Sequence, residues 1–207
     1  MRAAILRCCL RPVLGYYTRR RRSGLARLTA LPAPVIFVAN HASHIDTPIV
    51  LCALPRHWRE RTAVAAAADY FYRDRSRAWL VSLLFNTVPV QRDGGGIAEL
   101  AHLDLLLDGG WSLLIYPEGT RARGHEPGRL RTGAAVLAAR HGLPVVPVHL
   151  SGTRTAMAPG WIWPRRRPWQ PRHPVRIAFG DPIRPTSPAE RHQTIEHVQA
   201  FFDAQEA

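Results

Sequence analysis

The sequence predicts an α/β domain in which a mostly buried sheet is flanked by helices. Three observations carry this expectation. Short apolar, β-favouring runs recur along the chain, segments with helical spacing separate them, and 207 residues suffice for one sizeable core, read as a single domain over residues 1–207. The runs are nearly continuous in apolar residues, as strands are when helices cover both faces of their sheet.

The candidate strands are Val35 to Ala39, Thr62 to Ala67, Thr87 to Val90, Ser112 to Tyr116, Val145 to His149 and Val175 to Phe179. Helical patterns fall at Ile49 to Leu54, Arg77 to Phe85, Ile97 to Leu107 and Thr132 to Arg140. In the third, Leu100, Leu103 and Leu107 recur at intervals of three or four until Gly109 and Gly110 stop the pattern; Gly142 ends the fourth. The last helix is announced by Ser187-Pro188-Ala189-Glu190, with an N-cap serine, a first-turn proline and a glutamate at the capping-box position.

Two stretches break the alternation. Residues 1–30 form a basic segment in which the weakly amphipathic Ile5, Leu6, Cys9, Leu10, Val13 and Leu14 precede four arginines, Arg19 to Arg22, a candidate membrane-surface contact. Between Gly160 and Pro174, Trp161, Trp163 and Trp169 are interleaved with Arg165, Arg166, Arg167 and Arg172 and with several prolines that preclude a regular helix. Tryptophan with arginine suits the headgroup layer of a membrane, and it equally suits stacking on single-stranded nucleic acid or a loop folded over the core.

The charge balance is strongly basic: 28 basic residues, all arginine, against 15 acidic ones, a net +13. That excess favours an anionic partner, whether nucleic acid, a phospholipid surface or a phosphorylated substrate, although the absence of lysine is also what a GC-rich coding bias produces. The longest apolar runs are six residues, so no transmembrane helix is expected. Arg7, Arg11 and Pro12 interrupt a stretch that otherwise resembles a signal peptide, which predicts a cytoplasmic protein. Cys8, Cys9 and Cys52 have neither metal spacing nor a disulfide framework, consistent with a reducing compartment.

Chemistry-bearing residues gather after two of the strands. Asn40-His41-Ala42-Ser43-His44-Ile45-Asp46 follows the first, and a carboxylate beside an imidazole fixes its tautomer and leaves the other ring nitrogen as a general base. On a helix, positions five apart diverge by about 140°. His41 and Asp46 therefore meet only if the chain turns before the helix begins. After the fourth strand comes Tyr116-Pro117-Glu118-Gly119-Thr120-Arg121, where glycine permits close backbone approach, threonine offers a hydroxyl and arginine grips phosphate through a planar fork. Glu118 would repel phosphate, so it is expected to hold an arginine or bond a hydroxyl. His44 adds a rival, a metal site shared with His41, but the remaining histidines show no short ligand spacing.

In order and spacing these blocks resemble the glycerolipid acyltransferase superfamily, whose bacterial members include lysophosphatidic acid acyltransferases. The resemblance rests on His41-x4-Asp46, Arg92 after the third strand, Glu118-Gly119-Thr120-Arg121 and Val146-Pro147-Val148, and spans about residues 35–152. It implies a single mixed sheet and an enzyme in which His41, oriented by Asp46, deprotonates an acceptor hydroxyl that attacks an acyl thioester. Arg92, Glu118, Gly119, Thr120 and Arg121 match the acceptor-binding blocks, and Val146-Pro147-Val148 is structural. The implied donor is acyl-CoA or acyl carrier protein, as a co-substrate rather than a cofactor. The implied acceptor is a lysophospholipid such as 1-acylglycerol 3-phosphate, in phospholipid biosynthesis. Work at the cytoplasmic membrane face, with no metal and no nucleic acid, follows from the same reading. Glycerol 3-phosphate, dihydroxyacetone phosphate, a glycolipid or an amino-acid lipid are alternative acceptors, and a basic membrane- or RNA-binding protein is the non-enzyme alternative.

Overall fold

Seven strands form one sheet in the computed structural model, which describes residues 2–67, 84–90, 97–118, 130–161 and 163–206. They are β1 (Thr18–Ser23), β2 (Ile36–Ala39), β3 (Thr62–Ala67), β4 (Thr87–Val90), β5 (Ser112–Ile115), β6 (Val145–Ser151) and β7 (His173–Phe179), in the spatial order β1-β7-β6-β2-β5-β3-β4. Every neighbouring pair is parallel except β6 and β7, which run antiparallel, so the sheet is mixed.

Alternation along the strands divides the interior into two layers. In the central strand Phe37 and Ala39 point into one core while Ile36 and Val38 point into the other, and all four are fully buried. A short helix, α1 (Arg2–Ile5), opens the chain, and on the first side lie helices α2 (Arg11–Tyr17), α3 (Ala26–Thr29), α4 (Asp46–Ala53) and α5 (Arg56–Glu60). They contribute Leu14, Leu28, Ile49, Val50, Leu51 and Trp58 to that core. The second side is covered by α6 (Ile97–Asp108), α7 (Gly133–His141) and the C-terminal α9 (Arg191–Glu206), through Leu103, Leu107, Leu137, Ile195, Val198 and Phe202. A short helix, α8 (Thr153–Ala156), follows β6.

All six predicted strands are present, and the helices at 97, 132 and 187 begin within a few residues of their signals. At the last of these Ser187 Oγ accepts from Ala189 N at 3.2 Å, whereas Glu190 bonds Thr186 instead of closing a box on Ser187. Up to residue 83, the helix expected over Arg77 to Phe85 lies outside the described residues.

The N-terminal segment departs from expectation. Helical structure runs from Arg2 to Tyr17 through a π-helical turn, Leu6–Leu10, whose wider loop carries the chain up to Pro12. Leu6 and Leu14 are buried, so one side of this helix is core and not free surface. The four arginines then enter the sheet as edge strand β1, with Thr18 opposite His173 and Arg22 opposite Ile177. An edge strand pairs on one side only, and charged side chains along it discourage a further strand from adding. Arg22 Nη1 donates to the carbonyl of Ala53 at 3.2 Å, which ties this edge to the end of α4.

Pro147 stands inside β6, where a missing N–H ordinarily breaks a ladder. Here its carbonyl accepts from Gly180 N at 2.8 Å, beyond the end of β7, so its nitrogen faces a position where the paired register has already stopped. Val146 and Val148, flanking it, are fully buried in the first core.

Gly24 joins β1 to α3 with φ of +77°, and a Cβ there would collide with the carbonyl oxygen of Phe179 at the end of β7. Gly24→Ala should lower the unfolding free energy by about 1–3 kcal/mol, measured by urea titration. A midpoint equal to that of the wild type would show that this turn moves freely.

Candidate active site

β2 and β5 lie side by side in parallel, with Val38 opposite Ile115, so the loops that follow them emerge at the same edge of the sheet. Two motifs 77 residues apart meet there: the backbone N–H of His41 donates to Glu118 Oε1 at 3.0 Å.

The histidine and aspartate are brought together by a turn ahead of α4. Asp46 N donates to Ser43 O at 3.1 Å, the helix starts at Asp46, and Pro48 is accommodated in its first turn, where no N–H is needed. His41 Nδ1 then lies 3.0 Å from Asp46 Oδ2. The same oxygen accepts the backbone N–H groups of Ala42 and Ser43, each at 2.7 Å. Asp46 is completely buried, and the side chain of His41 is 16% exposed. Burying a carboxylate is costly unless it is bonded, and hydrogen bonds to a charged acceptor contribute about 1.5–3 kcal/mol each. Because a carboxylate only accepts, the proton of a neutral His41 resides on Nδ1 and the lone pair on Nε2.

Neighbouring side chains fix the ring further. Tyr116 stacks on His41 with ring centroids 4.2 Å apart and planes inclined by 26°, and its hydroxyl is 2.8 Å from Thr47 Oγ1. Burial, reinforced by the charge of Asp46, pushes the Tyr116 phenol far up, so it remains protonated. Ser43 Oγ donates to Met157 O at 2.7 Å, and Asn40 clamps β6 by donating to Leu150 O at 2.9 Å and accepting from Leu150 N at 2.7 Å. None of Asn40, Ser43, Thr47 or Tyr116 has a role assigned from the sequence, although Asn40, Ser43 and Tyr116 stand inside the two motifs and Thr47 directly follows the first, in the first turn of α4. Their proximity in the chain was the available signal; their partners are long-range and could not be read.

One oxygen of Glu118 accepts the His41 amide, while Oε2 is buried without a hydrogen-bond partner among the described residues. Of the remaining predicted site residues, Arg92, Gly119, Thr120 and Arg121 lie outside the described residues. His41, not His44, carries the bond to Asp46. Among the described residues no group of three or more metal-ligating side chains comes together.

An α/β sheet that carries an oriented imidazole–carboxylate pair at the end of its central strand defines a protein with its chemistry at the strand ends. The chain belongs to the Acyltransferase family, whose model matches residues 21–151. Two chloroplast 1-acyl-sn-glycerol-3-phosphate acyltransferases, from Brassica napus and Arabidopsis thaliana, are each 29% identical to it over 141 residues. These matches cover 66% of this chain but only 38% and 37% of the relatives, so the chain spans well under half of their length. In fold it is similar to the 1-acyl-sn-glycerophosphate acyltransferase PlsC of Thermotoga maritima. The TM-score is 0.68 at 20% identity, over 100% of this chain and 84% of that one.

Burial holds the Glu118 carboxyl above the ordinary glutamate range, with the negative charges of Asp46 and Glu206 adding to the effect and the His41 amide opposing it. The folded state thus takes up this proton more readily than the unfolded chain. Its contribution to stability rises as pH falls through the raised value towards about 4.5, and declines again as pH rises. Glu118→Gln keeps an acceptor for His41 N and removes the titration. Its stability relative to wild type should be greatest at neutral pH and shrink on acidification, as read from thermal midpoints between pH 7 and 4. A difference independent of pH would refute the shift.

Proposed function

We propose that this chain transfers a fatty acyl group from a thioester donor, acyl-CoA or acyl carrier protein, to the free hydroxyl of a lysophospholipid, 1-acylglycerol 3-phosphate, in phospholipid biosynthesis. The observation that carries this reading is the His41–Asp46 pair, with Nε2 left as a base, within the region that matches the Acyltransferase family. The names of the two chloroplast relatives support the choice of acceptor.

In this mechanism Nε2 of His41 takes the proton of the acceptor hydroxyl as its oxygen forms a bond to the thioester carbonyl carbon. The imidazolium that results is stabilised by Asp46. Collapse of the tetrahedral intermediate breaks the carbon–sulfur bond, and the imidazolium returns its proton to the departing thiolate. No acyl-enzyme and no metal enter the cycle. Arg92 and Arg121 hold the acceptor phosphate in this proposal, with Gly119 and Thr120 allowing its close approach, while Glu118 supports the His41 backbone.

Incubation with labelled acyl donor and a panel of acceptors, with products identified by mass, tests the reaction. His41→Ala should lower the rate about 10²- to 10⁴-fold, the range of general-base removal. Asp46→Asn should fall within the same range because an amide does not stabilise imidazolium, and His44→Ala should lose less. An inactive His44→Ala beside an active His41→Ala would refute the assignment.

The same reading places the enzyme peripherally on the cytoplasmic membrane face, and a continuous aromatic and basic surface supports it. No helix among the described residues is long and apolar enough to cross a membrane. Tyr16, Trp163 and Trp169 are 48%, 57% and 77% exposed, whereas Trp161 packs against the core and is removed from the set of three tryptophans. Trp163 Nε1 donates to Tyr17 Oη at 3.0 Å, and the Arg166 guanidinium lies 4.4 Å from the Tyr16 ring centroid, which unites the N-terminal helix and the Trp-Arg segment. Rings half in solvent beside guanidinium groups suit an anionic headgroup layer. Co-sedimentation with vesicles containing anionic phospholipid should fall at least fivefold in the Trp163→Ala, Trp169→Ala double variant, and should fall with salt in the wild type. Full binding by a variant with a native circular dichroism spectrum would remove this surface from the proposal.

A further inference from the structure

A polar recess opens at the same edge of the sheet, beside the His41 loop. Its volume is about 410 Å³, and Asn40, Ala42, His149, Thr153, Arg176 and Glu206 are among the residues that line it. Thr153 is fully buried and its hydroxyl has no hydrogen-bond partner among the described residues; His149 is 3% exposed and its Nε2 makes no hydrogen bond among them either. Glu206 Oε1 stands 3.5 Å from that nitrogen, within ion-pair range but outside hydrogen-bonding geometry. Buried polar groups left without partners carry a desolvation cost that a ligand's polar groups would relieve. Burial lowers the His149 pKa against the opposing influence of Glu206, so the imidazole is neutral at pH 7. The recess therefore combines neutral polar groups with charged ones: Arg176, exposed on β7, and Arg154 bring positive charge, and Glu206 brings negative charge.

The sheet order adds a second argument. β6 and β7 lie on one side of β2, and β5, β3 and β4 on the other. His149 and Arg176 of the recess stand on β6 and β7, and Glu118 follows β5, so the two groups come from strands on opposite sides of the one that leads to His41. A two-substrate transfer needs both partners to converge on one imidazole without overlapping.

The geometry points to this recess as the binding site for the phosphopantetheine arm of the acyl donor, the arm common to coenzyme A and acyl carrier protein. The inference rests on the acyl-transfer reading above. The arm is a chain of neutral amides that ends in a phosphate ester. Its carbonyls accept from the Thr153 hydroxyl, its amide N–H groups donate to Glu206, and its phosphate meets Arg176. Glu206 repels phosphate, which orders the arm with its phosphate towards Arg176. The thioester end then leaves past Ala42, the neighbour of His41.

Titration calorimetry with coenzyme A, holo-acyl carrier protein and 4′-phosphopantetheine, paired with steady-state constants for donor and acceptor, tests the site. Thr153→Val should weaken binding of all three probes about fivefold and Arg176→Gln about tenfold. Donor KM should rise by the same factors while acceptor KM stays unchanged. Thr153→Ser, which keeps the hydroxyl, should bind as the wild type does, and so separates a lost hydrogen bond from a damaged fold. Weakening confined to coenzyme A would assign its nucleotide and overturn the arm as the ligand. Unchanged donor binding by folded variants, a rise in acceptor KM alone, or a wild-type chain that binds none of the probes would overturn the site. Binding is read without turnover, so a wild type that binds the arm but transfers no acyl group supports the site and refutes the acyl-transfer reading. Transfer with variants that bind donor normally does the reverse.

Discussion

A single carboxylate oxygen, Oδ2 of Asp46, organises the candidate site by accepting from His41 Nδ1 and from the amides of Ala42 and Ser43. Its residue has no exposed surface, so water cannot take the place of any of these donors. The shape of the turn, the start of α4 and the orientation of the imidazole are consequently one event. A chain that failed to make the turn would leave a buried charge bare, and a chain that makes it points His41 Nε2 away from Asp46 with its lone pair free. This is orientation achieved by burial, at a position where the backbone is also held from three directions. Glu118 holds the His41 amide from the loop after β5, Asn40 grips Leu150 in β6, and Ser43 bonds the carbonyl of Met157 just after α8.

The sheet makes those three anchors available. Because β6, β2 and β5 run parallel and adjacent, their C-terminal ends share one edge, and the segments that follow them meet without long connections. The antiparallel β7 then closes one flank and brings Arg176 to that edge opposite Ser151. With two cores, one above and one below, the central strands are immobilised on both faces. The polar groups at their ends inherit that rigidity, which is what a base held at a fixed distance from a reacting oxygen requires.

The arginines serve more than one physical purpose. In β1 they blunt the edge of the sheet and pin it to α4 through Ala53. Around the Trp-Arg segment they lie over aromatic rings, Arg165 over Trp161 at 4.6 Å and Arg166 over Tyr16 at 4.4 Å. A net charge of +13 is therefore not one patch with one meaning, since some of it is structural and some is presented to solvent.

The sequence alone determined the elements whose apolar residues are contiguous and whose ends are marked by glycine, proline or a capping serine: six strands, the helices at 97, 132 and 187, and the alternation that makes the fold α/β. It also determined which two loops carry His41, Asp46 and Glu118, because these residue types follow strands directly. Only the tertiary structure decided that Arg19 to Arg22 form a strand, since an edge position is defined by a neighbour 150 residues away and not by any local pattern. Likewise Trp161 lies in the core while Trp163 and Trp169 face outward, a difference that composition does not encode. The pairing of Glu118 with a backbone amide, the stacking of Tyr116 on His41 and the gathering of His149, Thr153 and Glu206 around one recess all depend on which strand ends become neighbours. That is set by strand order in the sheet, a property of long-range packing that no window of sequence contains.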